Sequence, residues 1–237
     1  MNLSAPIFRL KRKARLLSRE TGLSLSKALD QIARAEGFRS WSHLAAENAP
    51  DRPAAAILGT LAPGDILLLG ARPGQGKTVL GLGLAAEAAR AGRKAFFFTL
   101  EYNAADALAL LRGQDSAPAR LAPHLTLDTS DDICASHIIA RLANAPRGTV
   151  AVIDYLQLLD QKRKHPPLDE QVRTLKEFAA QSGAIIVMIS QIDRSFDAVA
   201  GRLPSLADVR LPNPLDLSLL TRTCFLHDGE IRLDAAA

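Results

Sequence analysis

The chain has 237 residues, 48% of them hydrophobic and 23% charged, with a formal net charge of +4. That length suits one full-sized domain with a small appendage, and the composition excludes a disordered or low-complexity protein. Two distant cysteines, Cys134 and Cys224, exclude a disulfide framework and a zinc site, and the lack of a signal core or of an apolar run near the roughly 18 residues that cross a bilayer leaves a cytoplasmic protein as the expectation.

Charge is unevenly placed. Residues 1–48 carry nine Lys/Arg against four Asp/Glu, and six of the cations, Arg9, Lys11, Arg12, Lys13, Arg15 and Arg19, fall on one predicted helix. Such a run fits a nucleic-acid backbone; a solvated face or an acidic protein partner is the alternative. Two further helices follow. One runs from Ser24 or Ser26 as N-cap to Gly37, where a glycine beyond a helix end belongs, and one starts at Ser40. The three make a small helix-turn-helix-like module over residues 1–48. Its expected core is Phe8, Leu16, Leu17, Leu23, Leu25, Leu29, Ile32, Phe38, Trp41 and Leu44, with Trp41 an anchor rather than a base-stacking platform.

Residues 49–56, with Pro50 and Pro53, read as a linker. From residue 57 onward apolar runs alternate with helical segments, which predicts an α/β domain with a mostly parallel central sheet flanked by helices over 57–237. Strands are expected at 65–69, 95–100, 125–127, 149–155 and 184–190. Helices are expected at 77–90, 104–112, 132–143 and 168–181. A terminal hairpin is expected over 223–233 around Asp228-Gly229.

Four motifs lie on these elements. The first strand runs into Ala71-Arg72-Pro73-Gly74-Gln75-Gly76-Lys77-Thr78-Val79 and then an alanine-rich helix, the strand-loop-helix setting of a P-loop. Gly74 and Gly76 let backbone N–H groups face phosphate oxygens at a helix N-terminus. Lys77 reaches the β and γ phosphates and the Thr78 hydroxyl takes one Mg²⁺ position, so ATP and Mg²⁺ are the expected cofactors. The strand 149–154 ends in Asp154, placed to hold the Mg²⁺ shell. The strand 95–100 ends before Glu101, a candidate general base if that strand lies beside the P-loop strand; a helix N-cap is its alternative role. The strand 184–190 ends at Ser190-Gln191, and the Gln191 amide is a candidate sensor of the γ phosphate or attacking water, or a plain strand terminus.

Together these segments resemble the C-terminal ATPase domain of DnaB-type replicative helicases, a branch of the RecA-like P-loop ATPases. The likeness covers about residues 55–215. It rests on the Ala-Arg-Pro-x-x-Gly-Lys-Thr string ending at Thr78, Thr99-Leu100-Glu101, Asp154-Tyr155-Leu156-Gln157-Leu158, and Ser190-Gln191-Ile192-Asp193-Arg194. It implies a RecA-like fold, phosphate and Mg²⁺ binding by Lys77 and Thr78, Glu101 as catalytic base, Asp154 as metal-shell carboxylate, and Gln191 as the link between nucleotide and the next loop. Residues 193–212, with Arg194, Arg202 and Arg210, match the region of the family's DNA-contacting loop, and Asp208-Val209-Arg210 resembles its Asp-Leu-Arg. The chain departs from the family in its basic N-terminal module. It also lacks, after Pro212, the Lys-x-Arg pair that family members extend to a neighbouring subunit; only Arg222 and Arg232 stand there.

The expectation is an ATPase acting on single-stranded DNA as a homo-oligomer, with Lys11, Arg12, Lys13, Arg194, Arg202 and Arg210 as DNA contacts and duplex DNA a further option for the module. An ATP-regulated switch with slow or no hydrolysis is the alternative.

Overall fold

The computed structural model describes residues 3–5, 7–47, 53–113, 118–159, 162, 165–193, 196, 203–211, 213–227 and 229–236. The chain divides into two compact units, Met1–Arg52 and Pro53–Ala237.

The first unit contains helices α1 (Ile7–Thr21), α2 (Leu25–Ala35) and α3 (Trp41–Glu47). Ser24 caps α2 by accepting the Lys27 N–H. At its other end Gly37 has φ +88°, while the Phe38 N–H donates to Ala33 O (2.9 Å) and the Gly37 N–H to Arg34 O (3.0 Å). This reversed pair closes the helix and turns Phe38 inward beside Leu10, Ala33 and Leu44. Helix α3 is capped twice, by Ser40 Oγ accepting from the His43 N–H (3.2 Å) and by Asp30 Oδ1 of α2 accepting from the Trp41 N–H (2.8 Å).

The expected core needs correction here. Leu10 and Ala14, four apart on α1, are fully buried, whereas Leu16 is 47% exposed and Leu25 44%. Two residues beyond Ala14 an α-helix has turned about 200°, which carries Leu16 to the opposite face. Leu17, Leu23, Leu29, Ile32 and Trp41 are half-buried. The Phe8 side chain lies outside the described residues.

The second unit opens on α4 (Pro53–Thr60), so residues 53–56 are helix where linker was expected. Proline fits the first turn of a helix, whose N–H groups are unpaired in any case, and Ala54, Ile57 and Leu58 bury the α4 inner face. The remaining elements are β1 (Ile66–Ala71), α5 (Lys77–Arg90), β2 (Ala95–Thr99), α6 (Ala104–Arg112), β3 (Leu125–Asp128), α7 (Ala135–Leu142), β4 (Val150–Asp154), α8 (Leu168–Ser182), β5 (Ile185–Gln191), β6 (Arg222–His227) and β7 (Glu230–Ala235).

The strands form one seven-stranded sheet in the order β3-β2-β4-β5-β1-β6-β7. All pairings are parallel except β6 with β7, which form the expected hairpin with His227 opposite Glu230. Side chains alternate between two cores, as a period of two requires. Leu67, Leu69, Val150, Val152, Val187 and Ile189 face α4, α5 and α6. Ile66, Leu68, Ala151, Ile153, Ile186 and Met188 face α7 and α8. Both faces are covered, which is why the parallel strands read as continuous apolar runs rather than as alternating ones. This is the expected α/β architecture, a mostly parallel central sheet flanked by helices.

Helix α5 lies closest to the sheet. Eleven of its residues are buried, and a Cβ on Gly81 would stand 2.5 Å from Ile189 Cδ1. The missing side chain lets the helix, and the loop that begins it, seat directly on β4 and β5.

Candidate functional site

Strand β1 ends at Ala71, and residues 72–76 turn into α5. Gly74 has φ +77° and Gly76 φ +86°, a left-handed conformation that glycine adopts at no steric cost. Nothing lies within 4 Å of where either Cβ would stand, so the loop needs glycine here for its backbone path and not for room against the protein. Gln75 N–H donates to Arg72 O (3.2 Å) across the turn. Pro73, Gly74, Gly76 and Val79 are exposed and Arg72 and Gln75 half-buried, while Lys77 and Thr78 are buried in the first turn of α5.

Asp154, at the end of β4, is fully buried. Neither of its carboxylate oxygens has a hydrogen-bond partner of full geometry. Burial, and then the negative charge of Glu101, push its pKa up to about 6; the Thr78 hydroxyl and the Lys77 ammonium oppose that rise. Thr78 is thus near enough to act on the carboxylate without closing a hydrogen bond to it.

Glu101 arrives differently from the expectation. Strand β2 is not beside β1: β4 and β5 stand between them. It is β4 that adjoins β2, with Thr99 opposite Asp154, and this pairing brings Glu101 to the carboxylate instead. Glu101 is exposed, and its N–H donates to Thr99 Oγ1 (3.1 Å). The N-cap of α6 is Asn103, whose side chain accepts from the Asp106 N–H (2.9 Å), so the capping alternative does not apply to Glu101. Gln191 ends β5 opposite Ala71 and is half-buried.

Two residues at the site have no role in the motifs, Tyr102, which belongs to none, and Gln157, which stands in the Asp154–Leu158 string without one. Tyr102 is half-buried; burial raises its pKa, as do the charges of Glu101 and Asp154, and the nearby Thr78 hydroxyl opposes them. Gln157, beyond Asp154, donates to Arg210 O (2.8 Å). Arg210 is exposed. Arg194 and Arg202 lie outside the described residues. Lys11, Arg12 and Lys13 are exposed on α1 of the first unit. Arg222 Nε lies 3.9 Å from Asp65 Oδ2, and Arg232 Nε 2.8 Å from Asp234 Oδ2; Arg232 also donates to Pro204 O (3.0 Å).

Among the described residues, no group of three or more His, Cys, Asp and Glu gathers to hold a metal ion. A hydroxyl and a single idle carboxylate suit the alternative kind of site, where Mg²⁺ keeps water and takes phosphate oxygens for its other positions. The two unpartnered Asp154 oxygens beside Thr78 fit that role.

Residues 121–214 match the family model of the DnaB-like helicase C-terminal domain. The second unit is similar to that domain over those residues. Replicative DNA helicase DnaB of Leifsonia xyli is 26% identical over 181 residues, covering 63% of this chain and 40% of that protein. DnaB of Synechocystis sp. is 26% identical over 187 residues, covering 65% of this chain and 21% of that protein. The chain therefore spans less than half the length of either. The solved structure of a DnaB-like replicative helicase, described with its interactions with primase, superposes with a TM-score of 0.63 at 16% identity, over 96% of this chain and 70% of that one. The family match takes in Asp154, Gln157, Gln191 and Arg210, while the P-loop and Glu101 lie before it. No described helix is long and apolar enough to cross a membrane.

Proposed function

We propose that the protein is a DnaB-like ATPase that binds ATP with Mg²⁺, hydrolyses it, and acts on DNA in the cytoplasm as a homo-oligomer. The observation that carries this reading is the buried, unpartnered carboxylate of Asp154 beside Lys77 and Thr78. With only Lys77 and Thr78 beside it, the buried carboxylate is costly to keep charged, and a divalent cation on a nucleotide is the further partner this loop would present.

The residues divide the work. The 72–76 backbone and the start of α5 cradle phosphate, Lys77 draws negative charge off the β and γ oxygens, and Thr78 and Asp154 hold the metal. Mg²⁺, when bound, would supply charge neutralisation across the transferred phosphoryl group. Glu101, exposed at the sheet edge, accepts the proton of the attacking water, and Gln191, next to the P-loop strand, orients it. Arg210, with Arg194 and Arg202, serves the DNA side, and α1 offers Lys11, Arg12 and Lys13 to the phosphate backbone of single-stranded or duplex DNA.

ATP turnover measured with and without single-stranded DNA tests the proposal. Turnover that DNA accelerates is the expected result. No turnover in either case, with Glu101→Gln indistinguishable from wild type, would remove the enzyme. One observation favours a second reading, an ATP-regulated switch: Arg222 and Arg232 are each engaged by carboxylates of their own chain, not extended as a neighbour's finger would be. Light scattering with ATP separates the two, because rings fit the motor and monomers or dimers the switch.

A further inference from the structure

The turn after Asp154 carries a side chain that the phosphate chemistry does not use. Leu156 and Leu159 anchor the 3-10 turn at Leu156–Leu158 in the core, both fully buried. Gln157, between them, reaches β5: its Nε2 donates to Arg210 O at 2.8 Å and, more weakly, to Ser190 Oγ at 3.4 Å. A backbone carbonyl only accepts, so the contact with Arg210 O fixes which end of the amide is nitrogen. The other end, Oε1, is buried without a partner.

The groups that Gln157 joins come from three places. Ser190 and Gln191 end β5 opposite Gly70 and Ala71, the last residues before the P-loop turn. Residues 208–210 return antiparallel along that tip, with Ile192 bridged to Val209. There the Asp193 N–H donates to Asp208 O and the Arg210 N–H to Gln191 O, both at 2.8 Å. Ser205 closes the segment from behind, its N–H and Oγ–H donating to Asp208 Oδ2 at 2.9 and 2.8 Å. One amide therefore spans the end of the Asp154 strand, the tip next to the P-loop, and the segment that carries Arg210.

We infer that Gln157 is a positioning residue that couples the β4 and β5 tips at the nucleotide site to the 208–210 segment. The inference rests on the reading of that site as a nucleotide site. Coupling requires an element with two arrangements, not mere proximity. The Gln157 amide offers one: a strong donor contact to Arg210, a long one to Ser190, and an idle acceptor allow it to re-pair when either tip moves, which a fully satisfied amide resists.

Hydrogen exchange on the full chain, with and without Mg²⁺ and a non-hydrolysable ATP analogue, tests this after nucleotide affinity has been measured on each variant. Gln157→Glu keeps the shape but cannot donate as a carboxylate, Gln157→Leu removes both polar ends, and Gln157→His keeps a donor. Affinity is expected to stay within about twofold in all of them. Without nucleotide, exchange over 208–210 should be about tenfold faster in the Glu and Leu variants, as expected for one lost hydrogen bond. In wild type the analogue should change exchange over both 191–193 and 208–210. In the Glu and Leu variants it should change only 191–193, with the 208–210 response partly restored in Gln157→His. If Gln157→Leu does not fold, Gln157→Glu decides alone. An equal response over 208–210 in wild type and Gln157→Glu, or none there in wild type, overturns the coupling. Absence of nucleotide binding by wild type would instead remove the site reading itself, and the coupling with it.

Discussion

Replacing Asp154 with asparagine separates the charge of this residue from its shape. In the folded protein the carboxyl pKa is raised from 3.8 to about 6 by burial and by Glu101. At 1.36 kcal/mol per pKa unit, that rise is worth about 3 kcal/mol. The folded protein holds the proton more tightly than the unfolded chain does. Stability from this group is therefore fully present below pH 3.8 and is lost as pH rises through about 6. Asparagine does not titrate; its buried amide costs about 1–3 kcal/mol, but equally at every pH. The difference in stability, variant minus wild type, should thus move in favour of the variant by about 3 kcal/mol between about pH 4 and about pH 7. For a unit of this size that is a relative change in Tm of about 6–12 °C. Far-UV circular dichroism melts of both proteins across that range, without metal, read it directly. Adding Mg²⁺ with a non-hydrolysable ATP analogue at neutral pH should raise the wild-type Tm more than the variant's, since only wild type has a carboxylate for the cation. Parallel pH profiles for the two proteins would refute the claim that Asp154 is a buried charge awaiting a partner.

Four other perturbations probe separate links. Lys77→Ala should weaken ATP binding by about tenfold or more in equilibrium titration, the usual scale for a lost charge-assisted contact, whereas Glu101→Gln should retain binding and lower kcat by about 10²–10⁴-fold. Gly81→Ala sets crowding against Ile189 Cδ1 at 2.5 Å, costing about 1–3 kcal/mol, against a helix-propensity gain of about 1 kcal/mol. A lower Tm with an unchanged fold is the expected result, and a higher one would mean that α5 does not press on the sheet. Changing Lys11, Arg12 and Lys13 together to alanine should flatten the salt dependence of DNA affinity by about two counterions for single strands; an unchanged slope assigns the basic face of α1 to another partner.

The local chemistry of this protein was legible in its sequence. Gly74, Gly76, Lys77 and Thr78 announce their turn because a left-handed backbone and a helix N-terminus are properties of neighbouring residues. Strands β1, β4 and β5 stand out because a parallel strand buried on both faces has to be apolar throughout. The Schellman end of α2 at Gly37 and the β6–β7 hairpin are local in the same sense. What failed or stayed silent depends on partners far along the chain. Pro53 reads as a breaker until α5 is there to bury Ala54 and Leu58. The Leu16 and Leu25 side chains are apolar, yet only the direction in which α1 and α2 pack decides that Leu10 and Ala14 lie inside and they lie outside. Glu101 meets Asp154 because β2 pairs with β4 and not with β1, a strand order no spacing encodes. Gln157 finds Arg210 across 53 residues, since β5 places the ends of both segments side by side. Residue type and local periodicity determined which groups this protein has for its candidate site; the order of the strands decided which of them meet.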